Sequence, residues 1–527
     1  FPESQASSLS ALIRGGALPA NLTEVNSSVQ TATIGANALN LSVKAGIIGV
    51  AIVLILMLVA YGLLGFVADI ALLIYIQIVL WTMVGLGSVL SLPGIAGIIL
   101  SIGIAVDSNV IIFTRIREEI SKGKSIRVAV DTGYQAALST VIDSQTTTLI
   151  AAFVLYIFGN TAIKGFALTL MIGTVVSILT AVFITQIFIS LLAESKTFSK
   201  NSFFGMNEDG TRKISFTPNF KFMSHRKIFY AISAVIIIVG LMVGMIKGYN
   251  YGIDFTGGTM IQMDMGKKVS IEEVKDTIKE YELEPTIVYA GEDNTQIVLK
   301  TIKALKTEDR ADVIKTIENE YGLKGNSVIA SEQFGPTVGK DLKSNALKSL
   351  TIAGICMLIY IRFRFKTWKF GAAAIAGLVH DVLITLTMYA LFGISINNPF
   401  IAGILTVVGY SINDTIVIFD RIRENTKFFK RKQKEELLDT SINQTLSRSI
   451  MTSLTTLIVI IPLYIMAGSE LRAFLIPLII GIVSGTYSSV CLCSPLYYDI
   501  TKKDDASRYD EHRTKTKKTR TSDGIVK

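Results

Sequence analysis

PGIAGIILSIGIAVDSNVIIFTRIREEI, residues 93–120, returns 306 residues later as PFIAGILTVVGYSINDTIVIFDRIRENT, residues 399–426. Twelve of these 28 positions are identical. Each copy is an apolar span with an acidic residue deep inside it, Asp107 in the first and Asp414 in the second. A carboxylate in the bilayer core costs at least about 2.5–3.5 kcal/mol, so it is rare and generally lines an ion or substrate path. Two such residues in corresponding helices of two halves point to a transporter-like machine with its working site at the repeat interface.

The rest of the chain agrees with a membrane setting. Of 527 residues, 50% are hydrophobic and 18% charged, against roughly 25% charged in an average soluble chain. Mean hydropathy is +0.50. The apolar stretches run about 20 residues, the length of a spanning helix, whereas barrel strands alternate over about ten. The fold expected is a polytopic α-helical membrane protein with two pseudo-repeated helical bundles. The net charge of +9 reads as topology, Lys and Arg being retained on the cytoplasmic side. No aromatic-interleaved basic patch suggests nucleic acid. The three cysteines, Cys356, Cys491 and Cys493, all lie in apolar spans and read as packing residues. A Cys-x-Cys pair without a nearby histidine is a weak metal signal. With three histidines in all, no nucleotide-binding loop and no Ser-His-Asp order, neither enzymatic chemistry nor a cofactor is expected.

Eleven spans are legible, at about 42–64, 66–87, 94–113, 138–158, 166–192, 228–247, 343–361, 370–391, 398–419, 446–466 and 471–493. The domain reading follows. Residues 1–41 are the end of an aqueous domain, 42–193 a five-span bundle, and 194–227 a charged linker. Residues 228–248 are a lone span, 249–342 a small water-soluble domain, 343–495 a second five-span bundle, and 496–527 a basic tail. The soluble insert reads strand–helix–strand–strand–helix–strand. GTMIQMDM is a strand, SIEEVKDTIKEYEL opens with a Ser N-cap followed by acids, PTIVYA and TQIVLKT form a hairpin, DRADVIKTIENEYG ends at Gly322, and NSVIASEQFG is the last strand. This order is that of a ferredoxin-like split βαβ module.

Basic residues cluster in 114–135, 361–369 and 420–440. Placing these loops in the cytoplasm gives one consistent path through eleven spans. It puts residues 1–41 and 249–342 outside and the linker and tail inside. The second half is then one span, an exterior domain and five spans. The first half has only the end of an exterior region before its five. Symmetry leads us to expect a twelfth span and a larger exterior domain before residue 1, that is, an N-terminal truncation.

Asp414 lies six residues before Asp420, where its span leaves the membrane, and so about 9 Å inside. Arg448 enters the next span to a similar depth, and each is the obvious partner of the other. Desolvation disfavours a carboxylate and an adjacent guanidinium favours it, so a change in the Asp414–Arg448 separation changes proton affinity. The alternative is a static buried ion pair that fixes helix register. Asp107 lacks a matching arginine: with TTL at 147–149 aligned to TTL at 455–457, Thr140 stands in place of Arg448. An unpaired Asp107 suits a second proton site, or else a neutral acid bonded to Thr or Ser neighbours. Structural roles are favoured for Asp143, bonding the Thr146–Thr148 run or capping a broken helix. They are favoured too for Asp69 and the His380-Asp381 pair, with Asp69 and Asp381 near helix ends. Pro462 and Pro477 are expected to kink their helices.

These motifs resemble a known family. Residues 93–119 are similar to the fourth membrane helix of SecD. YGIDFTGGT (Tyr251–Thr259), LVHDVLITL (Leu378–Leu386) and GYSINDTIVIFDRIREN (Gly409–Asn425) are similar to SecF. Residues 8–41, with RGGALP and ATIGANAL, resemble the last part of the large exterior domain of SecD. The chain as a whole resembles SecD–SecF fusions of the resistance-nodulation-division superfamily. The resemblance implies a multi-pass protein of the bacterial cell membrane. It implies an auxiliary of the SecY–SecE–SecG channel that uses the proton-motive force to promote preprotein export. Its partners would be SecY, SecE and SecG, the SecA motor indirectly, YajC, and the translocating unfolded preprotein. The family's proton-path positions fall on Asp107, Asp414 and Arg448. Gly252, Asp254, Gly257 and Gly258 form a motif with an implied hinge or docking role, or simply a turn that needs glycine. Ser108, Thr114 and Tyr75 depart from the residues common in SecD, namely Ala, Glu and Asn. The alternatives are a proton-driven efflux pump of the same superfamily and a passive scaffold of the translocon.

Overall fold

In the computed structural model the described residues are 26–30, 32–195, 200–207, 209, 211, 219–290, 294–323, 327–365, 367–430 and 433–502. RGGALP, parts of the charged linker and the basic tail from residue 503 onward lie outside them. Eleven of the helices among the described residues are long and apolar enough to cross a membrane. The chain clusters into two units, residues 1–31 with 253–341, and residues 32–252 with 342–527.

The larger unit is helical. Its first half comprises α1 (Ala32–Tyr61), α2 (Leu63–Gly85), α3 (Leu92–Ser121), α4 (Ile126–Phe158) and α5 (Thr161–Leu179). The last continues through a π-helical turn, Thr180–Thr185, into Gln186–Glu194. A single helix, α6 (Phe222–Lys247), follows. Most helices extend beyond the hydrophobic stretch that the sequence marks, because polar residues continue them past the apolar core. Thus α3 carries the RIREE segment and the helix that holds Arg448 begins at Lys434.

The smaller unit holds one antiparallel sheet. Its strands are β1 (Asn26–Gln30), β2 (Gly258–Asp264), β3 (Thr286–Ala290), β4 (Gln296–Thr301) and β5 (Val328–Phe334), in the order β1-β5-β2-β4-β3. Helices α7 (Ile271–Thr277) and α8 (Thr307–Tyr321) complete the ferredoxin-like order β2-α7-β3-β4-α8-β5. Ile261, Val274, Ile297, Val313 and Ile317 are buried between sheet and helices. Two details differ from the sequence reading. Ser270 takes the N-cap position without a side-chain bond, and its helix breaks after Thr277 into a short 3-10 turn. β1, from the segment read as a domain remnant, adds a fifth strand beside β5.

The second helical half then runs α9 (Pro336–Phe365), α10 (Trp368–Phe392), α11 (Asn398–Asn425), α12 (Lys434–Met466) and α13 (Ser469–Ser488). A second π-turn, Ser489–Cys493, follows α13. The repeated helices α3 and α11 are the central ones, with 94% and 89% of their apolar windows buried, against 22% for α1 and 17% for α6. Outer helices instead expose Val84, Ile246 and Phe363, as lipid-facing surfaces do. Close approach at the centre needs glycine. A Cβ on Gly103 would lie 3.1 Å from the Thr456 Cα, and one on the equivalent Gly409 would lie 2.7 Å from the Ala151 Cβ. Each glycine thus seats α4 or α12 of the opposite half.

Candidate proton site between the repeats

Position 107 plus 306 is position 413, so Asp107 and Asn413 are equivalent in the repeat. The structure brings them together: Asn413 Nδ2 donates to Asp107 Oδ2 at 2.8 Å. Asp107 is buried, and its Oδ1 has no hydrogen-bond partner among the described residues. Asp414 is equivalent to Ser108, whose hydroxyl instead receives the amide of Gln145 at 2.9 Å. The two halves are therefore alike in backbone and unlike in charge.

Asp414 accepts hydrogen bonds from Ser449 on α12 and Ser489 in the second π-turn. The first π-turn, at the matching place in the other half, sends Thr185 Oγ1 to Asn109 Oδ1 at 3.0 Å. A π-turn is rare and tends to occur at functional sites. Neither was legible in the sequence.

Arg448 lines one small cavity together with Asp107 and Asp414. The sequence suggested an Asp414–Arg448 ion pair. No such pair is present among the described residues; the Asp414 oxygens accept from the two serines instead. Tyr410, Ser411, Asn413 and Thr452 also line the space, which at about 10 Å³ holds roughly one water. Tyr410 is fixed by Thr456 Oγ1 at 2.9 Å and the Thr452 carbonyl at 3.1 Å. Ionised, the site carries two carboxylates against one guanidinium. It is one positive charge short, a deficit that a single proton fills.

The other buried acids have partners that sequence reasoning missed. Asp143 neither bonds the threonine run nor caps a break. It pairs with Arg364 and accepts from Tyr360 at 2.8 Å, both on α9. Arg364 also pairs with Asp420 at 2.9 Å. Asp381 is not near a helix end either: it is buried in mid-helix. It accepts from Ser411, Ser484 and Ser488 at 2.6, 2.7 and 2.8 Å, and stands 3.0 Å from His380 Nδ1. Apart from His380, these partners come from other helices, 30 or more residues away in sequence. Asp69, on α2, is partly buried, with Oδ1 unpartnered among the described residues.

The glycine motif straddles the point where the chain passes from one unit to the other, between Gly252 and Ile253. Gly252 N donates to the Ile396 carbonyl at 2.7 Å. Asp254 lies in a one-turn helix, Ile253–Thr256. Gly257 and Gly258 have φ of +74° and +131°, conformations that only glycine adopts at low cost.

The family model described as "Protein export membrane protein SecD/SecF, C-terminal" matches residues 18–195 and 314–503. The chain belongs to the SecD/SecF family. A second model, the "SecD/SecF GG Motif", matches residues 245–269. Among SecD/SecF relatives, protein translocase subunit SecDF of Bacillus subtilis is 37% identical over 94% of this chain and 69% of its own length. SecDF of Thermus thermophilus is 36% identical over 93% of this chain and 66% of its own. A crystal structure of SecDF from Thermus, titled a translocon-associated membrane protein, superposes with a TM-score of 0.84 at 35% identity. It covers 94% of this chain and 67% of that one. The chain thus spans about two thirds of the length of these family members.

Proposed function

We propose that this chain belongs to an auxiliary subunit of the Sec protein translocase, one that uses the proton-motive force to promote preprotein export through a SecY–SecE–SecG channel. The names of its relatives support the translocase part. The proton part rests on one observation: Asp107, Asp414 and Arg448, drawn from both repeats, share a small cavity that lacks one positive charge. A proton taken up there neutralises the deficit, and its release restores it. The two charge states favour different spacings of α3, α11 and α12. One charge crossing 100 mV supplies about 2.3 kcal/mol, enough to bias a two-state movement by tens of fold.

In this reading the protein sits in the bacterial plasma membrane. Residues 1–41 and 249–342 are extracytoplasmic and the basic loops and tail cytoplasmic. The motif of Gly252, Asp254, Gly257 and Gly258 carries the hinge or docking role that the family resemblance implies. SecA and YajC are further partners implied by the family.

The test is preprotein export in a SecDF-depleted bacterium carrying the complete gene that encodes this chain, with Asp414→Asn compared at equal membrane abundance. Export should be restored by the wild type and collapse in the mutant. Equal restoration by both removes the proton relay at Asp414 and moves the passive scaffold ahead. Failure of both turns the assignment toward efflux of lipids or drugs.

A further inference from the structure

Beyond Arg448, toward the basic loops, lies a second small cavity. It is lined by Glu118, Arg115 and Thr114 of α3, Thr140 of α4, Arg421 and Val417 of α11, and Gln444, Thr445 and Arg448 of α12. Arg448 and Val417 line both spaces. At the floor is a closed ionic cycle. Arg115 holds Glu424 with two bonds, of 2.6 and 3.0 Å, and Glu118 at 3.1 Å. Arg421 holds Glu118 and stands 3.3 Å from Glu424. The cycle obeys the repeat: 115 and 421 are equivalent, as are 118 and 424. Its two acids differ in setting. The Glu118 side chain is 14% exposed and faces the cavity, whereas that of Glu424 is 42% exposed and lies outside it.

Building on the proton reading above, we infer that Glu118 is the proton carrier on the basic-loop side of Arg448, and that the Arg115–Glu118–Arg421–Glu424 cycle is its gate. With Glu118 ionised, two guanidinium groups face two carboxylates, and the cycle ties α3 to α11. A proton released from the Asp107–Asp414 site passes Arg448 and forms an O–H bond on Glu118. The carboxylate charge that held Arg421 is then gone, and both guanidinium groups are left to Glu424 alone. The tie loosens, the O–H bond breaks toward the basic-loop side, and the two ion pairs re-form. The groups that face Glu118 suit this role. Arg115 stands 3.1 Å from its carboxylate and Arg421 is in direct contact with it, Arg448 stands on the delivery side, and Gln444, Thr445 and Thr140 are neutral. The adjacent Glu119 is turned to Lys122, at 2.5 Å, and Lys124, and has no share in the cycle.

The experiment uses this chain in liposomes that enclose a pH-sensitive dye, with a potassium–valinomycin potential and a pH step driving protons inward. Asp414→Asn, Glu118→Gln, Glu118→Asp and Glu119→Gln are compared at equal incorporation. Thermal unfolding of each variant separates misfolding from lost transfer. Glu118→Gln should lower proton flux at least about tenfold, as loss of a transferring acid does. Glu118→Asp should recover most of it, and Glu119→Gln, which removes an adjacent acid outside the cycle, should stay within about twofold of wild type. Wild-type flux through a folded Glu118→Gln protein, with Asp414→Asn inactive, overturns this inference and leaves the relay standing. Equal loss in Glu118→Gln and Glu119→Gln also overturns it, since removing any acid at this end of α3 would then have the same effect. If Asp414→Asn conducts like the wild type, or the wild type no better than empty vesicles, the proton reading falls and takes this inference with it.

Discussion

Asn413 donates a 2.8 Å hydrogen bond to Asp107, and the two residues occupy the same place in the two repeats. The contact therefore lies where the halves meet their own counterparts. An amide opposite a carboxylate is compatible with burial, whereas two carboxylates there would have to share a proton.

Asn413→Ala removes the donor from a buried carboxylate oxygen. The expected cost is about 1–3 kcal/mol, seen as a lower unfolding midpoint in detergent. Asn413→Asp keeps the volume and is expected to abolish export at neutral pH while folding at mildly acidic pH. Export by Asn413→Asp equal to wild type at neutral pH would show that the contact is not electrostatically tuned.

Ser449 and Ser489 hold Asp414 from two different helices. Each single alanine variant is expected to keep partial export and the double variant to approach Asp414→Asn, since hydrogen bonds to a charged group contribute about 1.5–3 kcal/mol each. Export assays at matched abundance give the comparison. A double variant no worse than either single one would mean that Arg448 takes over as the partner.

Arg364 bridges Asp143 on α4 to Asp420 on α11. Arg364→Met leaves Asp143 buried without its cation, which costs about 3–5 kcal/mol. Asp420 suffers less, because Arg423 also pairs with it at 2.9 Å. The double variant Asp143→Asn/Arg364→Met is expected to be more stable than Arg364→Met alone. Unfolding midpoints of these two variants, of Asp143→Asn and of the wild type complete the cycle.

A Cβ at Gly409 would stand 2.7 Å from that of Ala151, across the contact between α11 and α4. Gly409→Leu is expected to cost about 1–3 kcal/mol by overpacking. Ala151→Gly in the same chain should return part of it, measured as recovery of the unfolding midpoint.

The sequence reveals the eleven spans because hydropathy over about 20 residues is a local quantity. The ferredoxin-like order was readable for the same reason, from alternation, turns and the Gly322 stop. Asp107, Asp414 and Arg448 stood out because charge inside an apolar run is conspicuous wherever it packs. What lay beyond reach was partnership. Tyr360 and Arg364 are 217 and 221 residues from Asp143, and Ser484 is 103 from Asp381. No window contains both members of such a pair. β1 was missed because a five-residue edge strand has little pattern of its own and is fixed by its neighbour, β5.

The two π-turns at Thr180–Thr185 and Ser489–Cys493 carry a consequence for how this architecture tolerates change. Each holds one residue more than an α-helix would over the same rise, and one residue is about 100° of rotation. Deleting a single residue there would leave hydropathy, length class and helix count almost untouched. It would nonetheless turn every later side chain to a different face, taking Ser489 away from Asp414 or Thr185 away from Asn109. The spacing of hydroxyls along these helices is thus a phase, set by one extra residue in each half, and composition alone does not record it.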